Sequence, residues 1–177
     1  EGIRGKSNIG VRGTEFEALF SHGGGLVSYR YGGRELLKTM PRPNFWRAPV
    51  DNDCGNHMQQ RCGQWKLASM YATVKSCAGV QMQEDCAVIS YTWKLPGEQA
   101  ECDVRYRVYG DGSVETTLSM DPVKQMGDLP EFGLIFKMDA DYNRLEWYGN
   151  GPEETYADRK RGAKLGLYHN KVADNLA

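Results

Sequence analysis

Between Pro41 and Gly55 the chain reads Pro-Arg-Pro-Asn-Phe-Trp-Arg-Ala-Pro-Val-Asp-Asn-Asp-Cys-Gly, and this stretch constrains the fold more than any other. Each of its three prolines fixes φ and removes a backbone donor, which bars the segment from a helix interior or a central strand. The expectation is a shaped loop. Phe45 and Trp46 can hold it by burying large rings, while Arg47, Asp51 and Asp53 can tie their charges to nearby backbone groups. A long loop with this chemistry is usually functional or sits at a junction.

The sequence on either side of the loop has the two-residue period of strands. From Thr14 to Leu37 the pattern predicts a meander of three short strands. Phe16, Ala18 and Phe20 alternate with polar positions, Gly23-Gly24-Gly25 breaks the run, Leu26 to Tyr31 resumes it, and Gly32-Gly33 turns into Arg34 to Leu37. After the loop, Asn56 to Trp65 is polar and suits a helical turn or two. Leu67 to Lys75 and Val80 to Glu84 read as a strand pair. Ala87 to Lys94 is a strand that stops at the Pro96-Gly97 turn. Val104, Tyr106 and Val108 share one face of a strand, Gly110-Asp111-Gly112 closes a hairpin, and Val114, Thr116, Leu118 and Met120 line its partner. Phe132, Leu134, Phe136 and Met138 alternate, and Leu145 to Tyr148 enters a Gly-Asn-Gly-Pro segment. No long stretch sustains a 3.6-residue period, so the class is all-β, built as a large antiparallel sandwich. At 177 residues the chain suits a single domain.

Charge and cysteine usage narrow the partners. With 22 Lys and Arg against 23 Asp and Glu, a polyanion-binding surface is not expected, and neither is nucleic acid. No run reaches the roughly 18 apolar residues of a membrane span, and Glu1 to Lys6 lacks the apolar core of a signal peptide, so no membrane partner is expected. The five cysteines, Cys54, Cys62, Cys77, Cys86 and Cys102, are odd in number and irregular in spacing. They suit reduced side chains, several of them buried on strands, in a cytoplasmic protein.

Catalytic and metal readings fail on spacing. Asp51 with Asp53, and Glu153 with Glu154, are too close in sequence to face each other across a substrate and read as turn formers and loop anchors. Asp51-Asn52-Asp53-Cys54-Gly55 imitates a calcium loop, but its glycine falls one position early and Cys62 stands where the twelfth ligand should be. Cys54, His57 and Cys62 lack further zinc ligands at standard spacing, and Cys54 with His57 lacks an orienting partner for nucleophilic work. Gly149-Asn150-Gly151 fails as a dinucleotide loop, since Pro152 follows and Glu154 replaces the third glycine. A tight turn is expected there, letting Tyr156 pack and setting Asp158 against Arg159 or Arg47. Arg159-Lys160-Arg161 with Lys164 reads as solvated surface. No catalytic residue and no metal site is expected.

Two motifs carry a family resemblance. Asn44-Phe45-Trp46-Arg47-Ala48-Pro49 with Asp51-Asn52-Asp53 and Gly55 resembles the opening of the C-terminal small-chain domain of bacterial β-galactosidases of glycoside hydrolase family 2. Phe16, Gly25, Leu26, Gly33 and Glu35-Leu36-Leu37 are similar to that family's lead-in. The second motif spans Trp147 to Arg159, with Gly149, Gly151, Pro152, Glu154, Tyr156, Asp158 and Arg159 at the family's positions. The resemblance implies a galactose-mutarotase-like supersandwich, of which residues 1–177 would be a truncated N-terminal part with an open sheet edge.

It also implies a parent enzyme that hydrolyses terminal β-D-galactosides with retention, using two carboxyl groups in a barrel domain outside this piece. Here there would be no cofactor, the family's Mg and Na belonging to other domains. This piece would be scaffold and active-site rim, inert alone, with Gly55, Asn56 and His57 as a mobile lid hinged on the glycine. Its partners would be the remaining domains, substrate at the rim, and further copies of the parent. Two other readings stay open: a carbohydrate-binding sandwich stacking sugars on Tyr29, Tyr31 or Trp93, and an aldose epimerase, for which His22, His57 and His169 offer no recognisable setting.

Overall fold

Five antiparallel strands lead the chain and pair in sequence order: β1 (Gly2–Arg4), β2 (Asn8–Arg12), β3 (Phe16–Ser21), β4 (Gly25–Tyr31) and β5 (Arg34–Glu35). The computed structural model describes residues 1–98, 100–153, 155 and 160–175. Along β3 the buried side chains are Phe16, Ala18 and Phe20, the two-residue period that points one face of the sheet at a core. The meander expected from Thr14 onward is β3 to β5, and β1 and β2 precede it. Glu35 fastens β5 back onto β4: its carboxylate accepts from the Ser28 hydroxyl and from the backbone N–H groups of Tyr29 at 2.9 Å and Leu37 at 3.1 Å.

The proline stretch is only partly a loop. Its first residues belong to β6 (Thr39–Asn44), whose one hydrogen-bonded partner strand among the described residues is β11 (Gly133–Lys137). Pro41, Pro43 and Phe45 are buried, while Arg42 between them is exposed. Residues of one parity face one strand edge, so the two missing donors fall on the same edge. That is how a strand with two prolines survives in a two-stranded ladder. Beyond Val50 the chain is helical, in α1 (Asp51–Gly55), α2 (Met58–Arg61) and α3 (Gly63–Tyr71).

Helix α3 overturns the expected strand at Leu67. Gln64 to Met70 holds no β-branched residue and is rich in good helix formers. The helix was hidden because it is apolar on two sides. Trp65 and Ala68 are buried, whereas Leu67, Met70 and Tyr71 are exposed, so no single stripe stands out.

The second sheet holds β7 (Thr73–Met82), β8 (Cys86–Lys94), β9 (Glu101–Tyr109) and β10 (Val114–Ser119), in spatial order β10-β9-β8-β7. Val80 to Glu84 is therefore not a separate strand. Residues 80–82 are the end of β7, whose register against β8 slips twice, between Val74 and Ser76 and between Cys77 and Val80. The β9–β10 hairpin forms as its sequence predicts, with Val108 opposite Val114. Gly112 in its turn has φ +91°, and a Cβ there would lie 2.9 Å from the Tyr31 ring, so glycine is required on two counts.

The two sheets bury a shared core. Phe20 of the first meets Tyr106 of the second edge-on at 5.3 Å, and the Tyr91 hydroxyl donates to the Ser21 carbonyl at 3.0 Å. Ile9, Ala18 and Leu26 join Ile89, Trp93, Val104 and Val108 in one cluster. Strand β11 (Gly133–Lys137) completes this part of the chain.

Residues 1–138 and 139–177 form two compact units. In the second, β12 (Arg144–Gly151) and β13 (Lys164–Lys171) make an antiparallel hairpin. The expected tight turn at Gly149-Asn150-Gly151 is instead strand, with Gly149 opposite Gly166. The Tyr168 ring explains the glycines. A Cβ on Gly151 would lie 2.8 Å from it and one on Gly166 3.2 Å, so the missing side chains make a slot for an aromatic ring that also tilts against Trp147 at 5.6 Å. The Gly151-Pro152 peptide is cis. The family-motif residues Glu154, Tyr156, Asp158 and Arg159, and the turn contacts expected of them, lie outside the described residues.

The class is all-β and the pairing antiparallel throughout. Among the described residues no helix is long and apolar enough to cross a membrane.

Candidate functional site

Phe45 anchors the segment that the sequence singled out. Its ring is fully buried against Trp65 at 5.5 Å and Phe132 at 6.2 Å, and its N–H donates to the Ser69 hydroxyl at 2.8 Å. Ser69 in turn donates to the Trp65 carbonyl at 2.9 Å, so β6 is tied to α3 through a satisfied buried hydroxyl. The Asn44 amide donates to the Trp46 carbonyl at 2.8 Å, and half-buried Trp46 has the Lys66 ammonium 6.0 Å from its ring centroid.

Arg47 and Asp53 fix the step from extended chain into α1. The guanidinium bonds both carboxylate oxygens of Asp53, and its Nε donates to the Pro130 carbonyl at 3.2 Å. Asp53 also accepts from the Val50 N–H at 3.0 Å, closing the first turn of α1 from within. Hydrogen bonds from Arg47, then from Val50, hold its carboxyl below the usual carboxylate range. Asp51 is exposed, so the structure separates the two aspartates that the sequence offered as a pair. Asp53 braces the fold.

The lid candidates follow directly. Gly55 is the last residue of α1, exposed, and a Cβ built on it meets no atom within 4 Å. Two residues on, His57 takes a left-handed backbone, at φ 60° and ψ 36°. Asn56 stands between them and is gripped by a residue the sequence reading passed over. Arg61 donates from Nε to the Asn56 carbonyl at 3.1 Å, from Nη2 to its side-chain oxygen at 3.3 Å, and from Nη1 to Asp128 at 3.2 Å. One guanidinium thus joins the candidate lid to the chain between β10 and β11. The available signal was an arginine one turn beyond a polar segment, where its fork can reach back.

Beside these elements lies a cavity of about 320 Å³, lined by apolar side chains that include Trp65, Met120, Val123, Leu129 and Phe132. The Trp65 indole N–H is buried without a partner among the described residues.

The other sequence candidates are dispersed. Cys54 is exposed and Cys62 buried, and among the described residues no three His, Cys, Asp or Glu side chains converge on a metal-sized site. All five cysteines are free, with Cys86 and Cys102 buried on strands. Of the aromatics proposed to stack on sugar, Trp93 is in the core, Tyr29 is half-buried with its hydroxyl donating to the Gly112 carbonyl, and only Tyr31 is exposed. His22 follows β3, His57 precedes α2, and His169 lies on β13 in the other unit.

Comparison with known proteins places this architecture. Residues 12–177 match the family model described as beta galactosidase small chain. The chain is 42% identical over 172 residues to a beta-galactosidase of Priestia megaterium, covering 97% of this chain and 16% of that protein. It is 39% identical over 168 residues to a beta-galactosidase of Clostridium acetobutylicum, covering 94% of this chain and 19% of that protein. A beta-galactosidase small subunit of Latilactobacillus sakei is 29% identical over 188 residues, covering 94% of this chain and 58% of that subunit. The chain therefore spans less than a fifth of the length of the first two relatives.

Proposed function

The chain belongs to the beta galactosidase small chain family, and from that premise we propose that it is the non-catalytic scaffold and active-site rim of a β-galactosidase. The parent enzyme hydrolyses terminal β-D-galactosides with retention, through two carboxyl groups carried by other domains. Residues 1–177 are the N-terminal part of one small-chain domain of the galactose-mutarotase-like supersandwich type. Its partners are the remaining domains and further copies of the parent, in the cytoplasm, with substrate reaching the rim at Gly55 to His57.

The observation that carries this reading is the contrast along one short segment. Phe45, Arg47 and Asp53 are buried or ion-paired, and directly past Asp53 the chain is exposed from Cys54 through Gly55, Asn56 and His57. A braced step followed by an exposed, polar segment is how a fold positions a loop for binding. The braced aspartate is poorly suited to proton transfer, because hydrogen bonds from Arg47 and Val50 hold its carboxyl below the usual range and make it a weaker base.

The test compares a complete β-galactosidase carrying this segment with the 177-residue chain alone, using a chromogenic β-galactoside. The complete enzyme turns it over and the chain alone does not. Turnover by the isolated chain, or tight binding of lactose analogues to it in calorimetry, would refute the assignment.

A further inference from the structure

Helix α3 carries apolar surface that the described residues leave uncovered. One side packs inward through Trp65, Ala68 and Ser69, which are 1%, 1% and 8% exposed. Leu67, Met70 and Tyr71, spaced i, i+3, i+4 on the opposite side, are 53%, 48% and 60% exposed. At about 100° per residue these three fall on one stripe centred roughly opposite the buried one. Single exposed apolar residues need no explanation, but an aligned set on a helix that is also apolar behind does, since a helix apolar all round is normally covered all round. The only charged side chain in Gly63–Tyr71 is Lys66, which reaches toward Trp46 and away from this stripe's centre. Met and Tyr are side chains that protein interfaces favour, the first adaptable and the second offering a large rigid ring.

We propose that the Leu67, Met70 and Tyr71 face of α3 is a docking surface for the larger part of the β-galactosidase. This rests on the functional reading above and adds where the contact is made. Two facts select that occupant. The relatives in which this segment occurs are roughly five to six times its length, so most of such a protein lies outside it and has to meet it somewhere. Helix α3 is also joined to the candidate lid through α2, with only Cys62 between Arg61 and Gly63. A body that reads the exposed Gly55 to His57 segment sits beside α3 as well. The docking face would therefore hold the lid at the correct distance from the chemistry.

The test places p-benzoylphenylalanine at Leu67 in the complete enzyme and maps the photo-crosslinks by mass spectrometry. Crosslinks to residues of the enzyme outside this 177-residue segment are expected. Crosslinks confined to residues 139–177, crosslinks to the same segment of a second copy, or none at all would overturn the proposal. Hydroxyl-radical oxidation supplies a second reading without substitution. Met70 and Tyr71 should react about tenfold more slowly in the folded complete enzyme than after unfolding in urea, as side chains sealed from water do. A slowing of only about twofold, what half-exposure gives, would count against it. Galactoside turnover is measured on the same samples. Lost turnover with the expected crosslinks removes the functional reading and keeps the docking face, while turnover without them does the reverse.

Discussion

Arg47 holds both carboxylate oxygens of Asp53, six residues further on, and this pair sets the angle at which the chain leaves β6 and enters α1. Because Asp53 is only 7% exposed and the Arg47 side chain 30%, removing either partner leaves the other's charge incompletely solvated. Asp53→Asn should lower Tm by roughly 5 °C or more, whereas Asp51→Asn, at an exposed neighbour, should change it little. The acid branch gives a second check. A carboxyl held below its ordinary value of 3.8 stabilises the fold above that value and loses the contribution as pH falls through the depressed one. Urea midpoints should fall as pH drops from about 4 downward, and Asp53→Asn should flatten that part of the profile. An unchanged profile would mean that the pair does not form in solution.

Phe45 joins the same segment to α3 and to the chain before β11. Its fully buried ring meets buried Trp65 and the half-exposed Phe132, and truncation leaves a cavity beside the Trp65 indole. Phe45→Ala should cost about 3–5 kcal/mol in urea unfolding, and Phe45→Leu distinctly less. Equal losses for the two would show that the site collapses around either residue.

Arg61 is the contact that holds Asn56 in place, through its carbonyl and its side chain, while also reaching Asp128. The arginine is half exposed and Asp128 nearly fully so, which keeps the ion pair weak. Arg61→Ala should raise amide exchange at Asn56 and His57 by roughly two- to fivefold. Arg61→Lys keeps the charge without the fork and should restore little of the protection. Exchange that Arg61→Ala leaves unaltered would show that α1 and α2 hold the segment unaided.

Much of this was legible in the sequence because strands announce themselves by alternation. Phe16, Ala18 and Phe20, and Val104, Tyr106 and Val108, are buried as their spacing requires. That Arg47 and Asp53 hold the segment and that Phe45 is buried could be read from a proline stretch that needs side chains to hold it, but not that the two charges pair with each other. What escaped depends on tertiary context. The prolines of β6 are tolerated because that strand has one hydrogen-bonded neighbour. The strand through Gly149 to Gly151 exists because Tyr168 occupies the space its glycines leave. Helix α3 shows no clean period because its outer side is apolar too. His57, and no glycine, takes the left-handed backbone between α1 and α2, which residue type alone does not announce.

Gly55 offers the cleanest probe of the lid. In the conformation seen here it is helical and its Cβ position is open, so alanine should be tolerated and should stabilise the end of α1 by up to about 1 kcal/mol. Any functional change in Gly55→Ala therefore has to come from another conformation, one that needs backbone freedom at this position. If the segment swings during catalysis, the substitution should alter the affinity of the complete enzyme for transition-state-like galactonolactones more than its affinity for substrate. Inhibition constants measured side by side would decide it. Equal shifts for lactone and substrate would mean that the substitution acts on the two states alike, as it would if Gly55 to His57 kept one conformation in both.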